Sequence, residues 1–184
     1  MPDWPHAPSH RLDLGGTYMV TSGTYRKKPL FHSRLKLNLL RAALFDRVSE
    51  HGAALQAWAI FPNHYHFIGG FDDPHQLREL VSELHSLTAR RLNEIDELPG
   101  RQVWFQYWET RITYERSYFP RLRYVHENAV RHGLVRTAAK YEWCSAEWLE
   151  RTASAAFCKE LLTFGRARLA IPDDFTAAGD QFKD

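Results

Sequence analysis

Cysteine is scarce. Only Cys144 and Cys158 occur in 184 residues, which excludes a disulfide framework and a paired-cysteine metal site. Two isolated thiols fit a reducing compartment. No apolar run reaches the length of a membrane-crossing helix. The opening segment, MPDWPHAPSHRLDL, lacks the charged-then-apolar layout of a secretion signal, so a cytoplasmic location is expected. An excess of one charge is also missing. A net charge of +2 argues against a protein that coats nucleic acid through bulk charge. No self-similarity recurs at a solenoid period.

Aromatics are abundant, with six Trp, eight Tyr and eleven Phe, and they can serve a core, base stacking, or both. Positive charge is clustered rather than plentiful. Arg26-Lys27-Lys28 forms one group and Arg90-Arg91 another. A third runs from Arg111 to Arg136 through Arg116, Arg121, Arg123 and Arg131. Taken alone, such clusters fit a solvated surface as well as a phosphate-binding one.

Periodicity gives the order β-α-β-β-α-β-α. Residues 17–22 are a strand, and 33–50 a helix capped by Ser33 with Leu37, Leu40, Leu44 and Val48 on one stripe. Residues 55–61 and 64–70 form a hairpin about Pro62-Asn63. Residues 75–97 are a helix with Leu77, Leu80, Leu84, Leu87 and Ile95 facing the core. Residues 102–114 are a strand, 118–132 a helix stopped by Gly133, and 154–168 a short helical pattern. The expected fold is α+β, one antiparallel sheet covered by helices. An arm spans 1–14, one domain 15–150, and a C-terminal helix and tail 151–184, with disorder expected beyond about Pro172.

Two short patterns carry chemistry. In His64-Tyr65-His66 a strand turns both imidazoles to one face, with Cα atoms about 7 Å apart, so that one divalent ion can bridge them. A bare HxH is more often structural than metal-binding. In RYVHENAVRHG, helical spacing puts Tyr124, Glu127, Asn128 and Arg131 on one polar face, with Arg121 a turn earlier. Leu122, Val125 and Ala129 lie on the opposite stripe. An isolated tyrosine of this kind is usually unremarkable. Together the patterns offer more. A phenol with a pKa of about 10 is a weak nucleophile, but a cation could polarise a phosphodiester beside it, and arginines could stabilise the phosphate oxygens. Asn128 supplies an amide oxygen suited to a hard cation. His126 is a weaker candidate, because two residues from Tyr124 it faces away.

AWAIFPNHYHFIGG resembles the histidine-hydrophobic-histidine segment of IS200/IS605-type single-tyrosine (Y1) HUH transposases. RYVHENAVRHGLV resembles the tyrosine-bearing helix of the same group, VWFQYWETRI its preceding strand, and YEWCSAEW its following segment. The nearest branch in this resemblance is the REP-associated tyrosine transposases, and the match runs over residues 12–150. The resemblance implies a ferredoxin-like or RRM-like fold, and Tyr124 as nucleophile. It implies His64, His66 and Asn128 as ligands of Mg²⁺ or Mn²⁺, with hairpin-forming single-stranded DNA as substrate. It further implies a 5′-phosphotyrosyl intermediate, a free 3′-OH, and a nucleoid-associated protein. Ala129 departs from the usual proline after the asparagine, which favours a longer regular helix.

DNA contacts are expected from Arg26, Lys27, Lys28, Arg121 and Arg131, with His6 and His10 of the arm as further candidates. Trp104, Tyr107 and Trp108 could stack bases, although strand aromatics more often belong to a core. Monomer and homodimer both remain open. One rival is a DNA-binding protein without catalysis on the same fold. The other is a water-using metal hydrolase, which the absence of an HExxH or DxH partner disfavours.

Overall fold

A computed structural model describes residues 15–165 and residue 169. The N-terminal arm with His6 and His10, and the tail beyond Pro172, lie outside the described residues. Strands β1 (Gly16–Thr24), β2 (Ala54–Ile60), β3 (His64–Phe71) and β4 (Trp104–Ile112) alternate with helices α1 (Arg34–Glu50), α2 (Pro74–Ile95) and α3 (Glu115–Arg131). Two short helices follow, α4 (Ala146–Thr152) and α5 (Ala155–Thr163). The strands form one sheet in the order β2-β3-β1-β4, with every pairing antiparallel. A β-α-β-β-α-β chain in that order is the ferredoxin-like arrangement.

The local signals act as expected at most boundaries. The Ser33 hydroxyl accepts from the Lys36 amide at 3.4 Å, and Asp73 starts α2 with a reciprocal capping box to Gln76. Gly133, at φ 70°, ends α3 in the left-handed region that favours glycine. Cys144 and Cys158 are both free thiols. Among the described residues no helix is long and apolar enough to cross a membrane.

Two expectations need correction. The buried stripe of α2 runs through Leu77, Leu80, Leu84, Thr88 and Leu92, while Ile95 is 43% exposed. Thr88 hides in this stripe because its hydroxyl donates to the Leu84 carbonyl at 2.6 Å and accepts from the Trp104 indole at 2.9 Å. A polar residue so satisfied costs little to bury, and hydrophobic spacing alone passes over it. Helix α3 begins at Glu115 rather than 118 and carries Pro120 inside its second turn. There proline removes only one backbone donor, which the packing of the helix outweighs.

The two sheet faces are covered differently. Tyr65 of β3 points toward α2, where its hydroxyl lies 2.9 Å from Nε2 of His85. His85 stacks on Trp104, ring centres 4.5 Å apart, and its Nε2 is 3.2 Å from the Ser22 hydroxyl. The other face carries His64 and His66 and receives α3, whose Leu122, Val125 and Ala129 are buried as expected. Fully buried Ala57 and Ala59 line β2 on that face, and small side chains let a helix approach closely. The outer edge of β2 is not left open. Ile60 donates its amide to the Trp143 carbonyl, Ser145 donates to the Trp58 carbonyl, and Ala59 pairs with Cys144. The segment after α3 thus satisfies an edge that would otherwise invite another strand.

Candidate active site

Strand register assembles the site. His66 pairs with Thr21 on one side and Ala59 on the other, and Thr21 pairs with Trp108. Directly opposed residues of antiparallel strands share a face, so Ala59, His66, Thr21 and Trp108 form one row. His64 stands on the same face, and the two imidazole centres are 5.0 Å apart. Phe61 stacks on His64 at 4.6 Å and fixes the plane of its ring. Both histidines are buried, at 5% and 0% exposure, including the Nε2 atom of each.

Their Nδ1 atoms are engaged by neighbours. Thr21 Oγ1 lies 2.8 Å from Nδ1 of His66, and Asn63 Oδ1 lies 2.8 Å from Nδ1 of His64. Contacts of this kind orient ligating imidazoles and set which nitrogen keeps its lone pair.

Helix α3 lies across these rings. The Tyr124 ring meets His66 edge-on, centres 5.3 Å apart. Arg131, two turns on, places its guanidinium 5.1 Å from the ring centre and donates from Nη1 to the phenol oxygen at 2.7 Å. Asn128 is fully buried, its Oδ1 included. The polar face read from the helix divides in two. Tyr124 and Arg131 stay together, whereas Glu127 turns to Arg123 with a 3.0 Å ion pair. Arg121 is held by Ser117 of its own helix, 3.0 Å from the carbonyl and 2.5 Å from the hydroxyl, and not by Tyr124. His126 faces away as expected. It is buried against a cavity of about 270 Å³ between α3, α4 and α5, and burial pushes its pKa down to about 4.

The basic turn also reaches the site. Arg26 and Lys27 adopt φ of 55° and 52°, a left-handed conformation that costs non-glycine residues about 1–2 kcal/mol each. Hydrogen bonds hold them there: Thr24 Oγ1 donates to the Lys28 carbonyl at 2.6 Å, and Asn63 Nδ2 donates to the Lys27 carbonyl at 3.2 Å. The same Asn63 contacts His64. Of the three strand aromatics, Trp104 belongs to the buried core and Tyr107 shares its face, near His85. Only Trp108 is on the histidine face.

The fold has a parallel among solved structures. A REP-associated tyrosine transposase bound to a REP hairpin superposes with a TM-score of 0.61 at 20% identity, over 83% of this chain and 87% of that one. The chain has that transposase's fold. A transposase from Deinococcus radiodurans, described in its own structure only by inference, aligns at 17% identity with a TM-score of 0.45, over 59% of this chain and 87% of that one. No family model matches the sequence. An alanine–tRNA ligase of Lactobacillus acidophilus is 29% identical over 112 residues, 55% of this chain, and the chain spans about a ninth (11%) of the ligase.

Three residues of this neighbourhood were not singled out from sequence: Thr21, Asn63 and His132. The His132 ring lies 5.4 Å from that of His64, centre to centre. Spacing could have found it, because Tyr124, Asn128 and His132 fall at i, i+4 and i+8 on one helical stripe. Thr21 and Asn63 depend on strand pairing and on the path of a turn, which sequence spacing does not encode.

Proposed function

We propose that this chain cuts and rejoins single-stranded DNA at hairpin-forming sites, with Tyr124 as the nucleophile. One observation carries the reading: a tyrosine from a helix stands edge-on to one of two adjacent strand-borne imidazoles, its hydroxyl held by an arginine of the same helix. The fold shared with a transposase that was solved bound to a REP hairpin supports it.

Among the described residues no three His, Cys, Asp or Glu side chains converge as a metal set. Two imidazoles and the buried carboxamide of Asn128 nonetheless fit Mg²⁺ or Mn²⁺. Both metals take the amide oxygen readily, Mn²⁺ accepts imidazole nitrogen more readily than the harder Mg²⁺, and both leave positions for phosphate and water. His64, His66 and Asn128 would hold the ion, which when bound polarises the phosphodiester. Tyr124 Oη then forms the bond to phosphorus as the bond from phosphorus to the 3′ oxygen breaks. The departing 3′ oxygen takes up a proton, and the phenol loses its own. Arg131, already on the phenol oxygen, orients the attack and faces charge that builds on the phosphate. The phosphotyrosyl ester keeps the energy of the broken bond, so a second 3′-OH can reverse the step without ATP. Incubation with a single-stranded hairpin oligonucleotide and Mn²⁺ should give a covalent protein–DNA band on a denaturing gel. EDTA added before the DNA should prevent it from forming.

The turn at Arg26, Lys27 and Lys28 is placed beside His64 by Asn63, so it can hold stem phosphates next to the cleavage point. Replacing Lys27 and Lys28 by glutamine is expected to reduce the slope of log affinity against log salt by about 1.5. An unchanged slope would remove the turn from the interface.

A further inference from the structure

We infer that Asn63 is a positioning residue that locks His64 in the tautomer a metal ligand requires and ties that choice to the shape of the basic turn. The inference rests on the metal site proposed above. It follows from donor and acceptor roles around one side chain.

The Lys27 carbonyl lies 3.2 Å from the Asn63 side-chain amide nitrogen, and a carbonyl can only accept. The amide group must therefore present its nitrogen to Lys27 and its oxygen to His64. The reverse assignment would set two oxygens against each other. With the orientation fixed, Asn63 Oδ1 is an acceptor 2.8 Å from Nδ1 of His64. That nitrogen must carry the proton, and Nε2 of the neutral ring keeps its lone pair. Free neutral imidazole side chains favour the opposite tautomer, so this state is imposed by the fold. His66 is different. Its Nδ1 partner is the Thr21 hydroxyl, which can donate or accept, so that contact does not by itself assign the proton to one nitrogen.

The lock has a second end. Asn63 is itself buried at 7% exposure, and its backbone carbonyl accepts from the Thr24 amide at 2.8 Å and the Thr24 hydroxyl at 3.1 Å. The strained residues Arg26 and Lys27 lie between Thr24 and the Lys28 carbonyl that the same hydroxyl contacts. One side chain thus couples the conformation of the basic turn to the donor state of His64. A ligand that rearranged the turn would change how well His64 binds metal.

The test compares the full chain with Asn63→Ala and Asn63→Asp. Aspartate keeps the acceptor toward His64 and loses the donor toward Lys27. Two readouts are taken without DNA: the His64 tautomer from ¹⁵N chemical shifts, and Mn²⁺ affinity from the signal of free Mn²⁺ in electron paramagnetic resonance. In the wild type the His64 proton should sit on Nδ1. Asn63→Ala should shift it toward Nε2 and weaken Mn²⁺ binding about tenfold or more. Asn63→Asp should preserve the tautomer and return affinity to within about threefold of wild type. A folded Asn63→Ala protein with wild-type tautomer and affinity would overturn the inference. If Asn63→Ala does not fold, the wild-type spectrum decides alone: a His64 proton on Nε2 overturns it. Failure of the wild type to bind Mn²⁺ at all would instead contradict the metal site proposed above.

Discussion

Tyr124→Phe should abolish covalent capture of hairpin DNA, by roughly a thousandfold or more, while leaving hairpin affinity within about twofold. The substitution removes one oxygen and the 2.7 Å bond it accepts from Arg131. The ring keeps its edge-on contact with His66 and its place on α3. A single hydrogen bond contributes about 1 kcal/mol net, and Arg131 is at the surface, where water can replace the lost partner. Binding and folding should therefore survive. Only the atom that forms the phosphorus bond is lost. Gel-shift titration paired with a denaturing gel separates the outcomes. A variant that still forms adducts would assign the nucleophile elsewhere, and a wild type that forms none would favour a DNA-binding protein on the same fold.

The second large effect is acid sensitivity, and its source is two buried imidazoles, His85 on α2 across the sheet from the site and His126 on the far side of α3 from Tyr124. Burial pushes the pKa of His85 down to about 3 and that of His126 down to about 4, against an ordinary 6.5. Both rings are neutral in the folded protein and charge readily once unfolded. Below pH 6.5 the unfolded chain binds more protons, so stability falls with pH until the folded-state values are reached. At pH 4.5 the two rings together should cost roughly 5 kcal/mol relative to pH 7.5, from about 1.4 kcal/mol per unit for each ring. Tyr65 and Tyr107, which surround His85, do not offset this. Burial raises both, Tyr107 to about 12, so they stay uncharged throughout. Asp96 adds to the loss at lower pH. Burial would raise it, but Lys36 and Arg101 hold it below the usual carboxylate range. Urea unfolding at several pH values should show this slope, and His85→Gln should remove about half of it. A stability that is flat from pH 7.5 to 4.5 would show that neither ring is shielded as the packing implies.

Much of this architecture was legible in the sequence. The hairpin about Pro62-Asn63 and the HxH after it fix which face each histidine takes, because side chains alternate along a strand. Helical spacing likewise fixes that Tyr124, Asn128 and Arg131 travel together while Leu122, Val125 and Ala129 face the core. The misses have physical causes. Thr88 looks polar in a list of residues and is a core residue once its hydroxyl finds Leu84 and Trp104. Three neighbouring strand aromatics look alike in sequence, and strand register alone separates Trp108 from Trp104 and Tyr107. Glu127 shares a helical face with Tyr124 by angle, yet the nearby Arg123 draws it away. Thr21 enters the site through the register of β1 with β3, and Asn63 through the path of the turn before β3, neither of which is written in local spacing.

The most direct measurement is to locate the bond. The wild type should be trapped on a single-stranded hairpin oligonucleotide with Mn²⁺, digested with nuclease and trypsin, and sequenced by mass spectrometry. Cleavage after Arg123 and Arg131 releases the peptide YVHENAVR, and a nucleotide phosphate should be found on its first residue, Tyr124. Attachment to another residue, or no covalent product under conditions where the hairpin is bound and Mn²⁺ is present, would contradict the proposed chemistry.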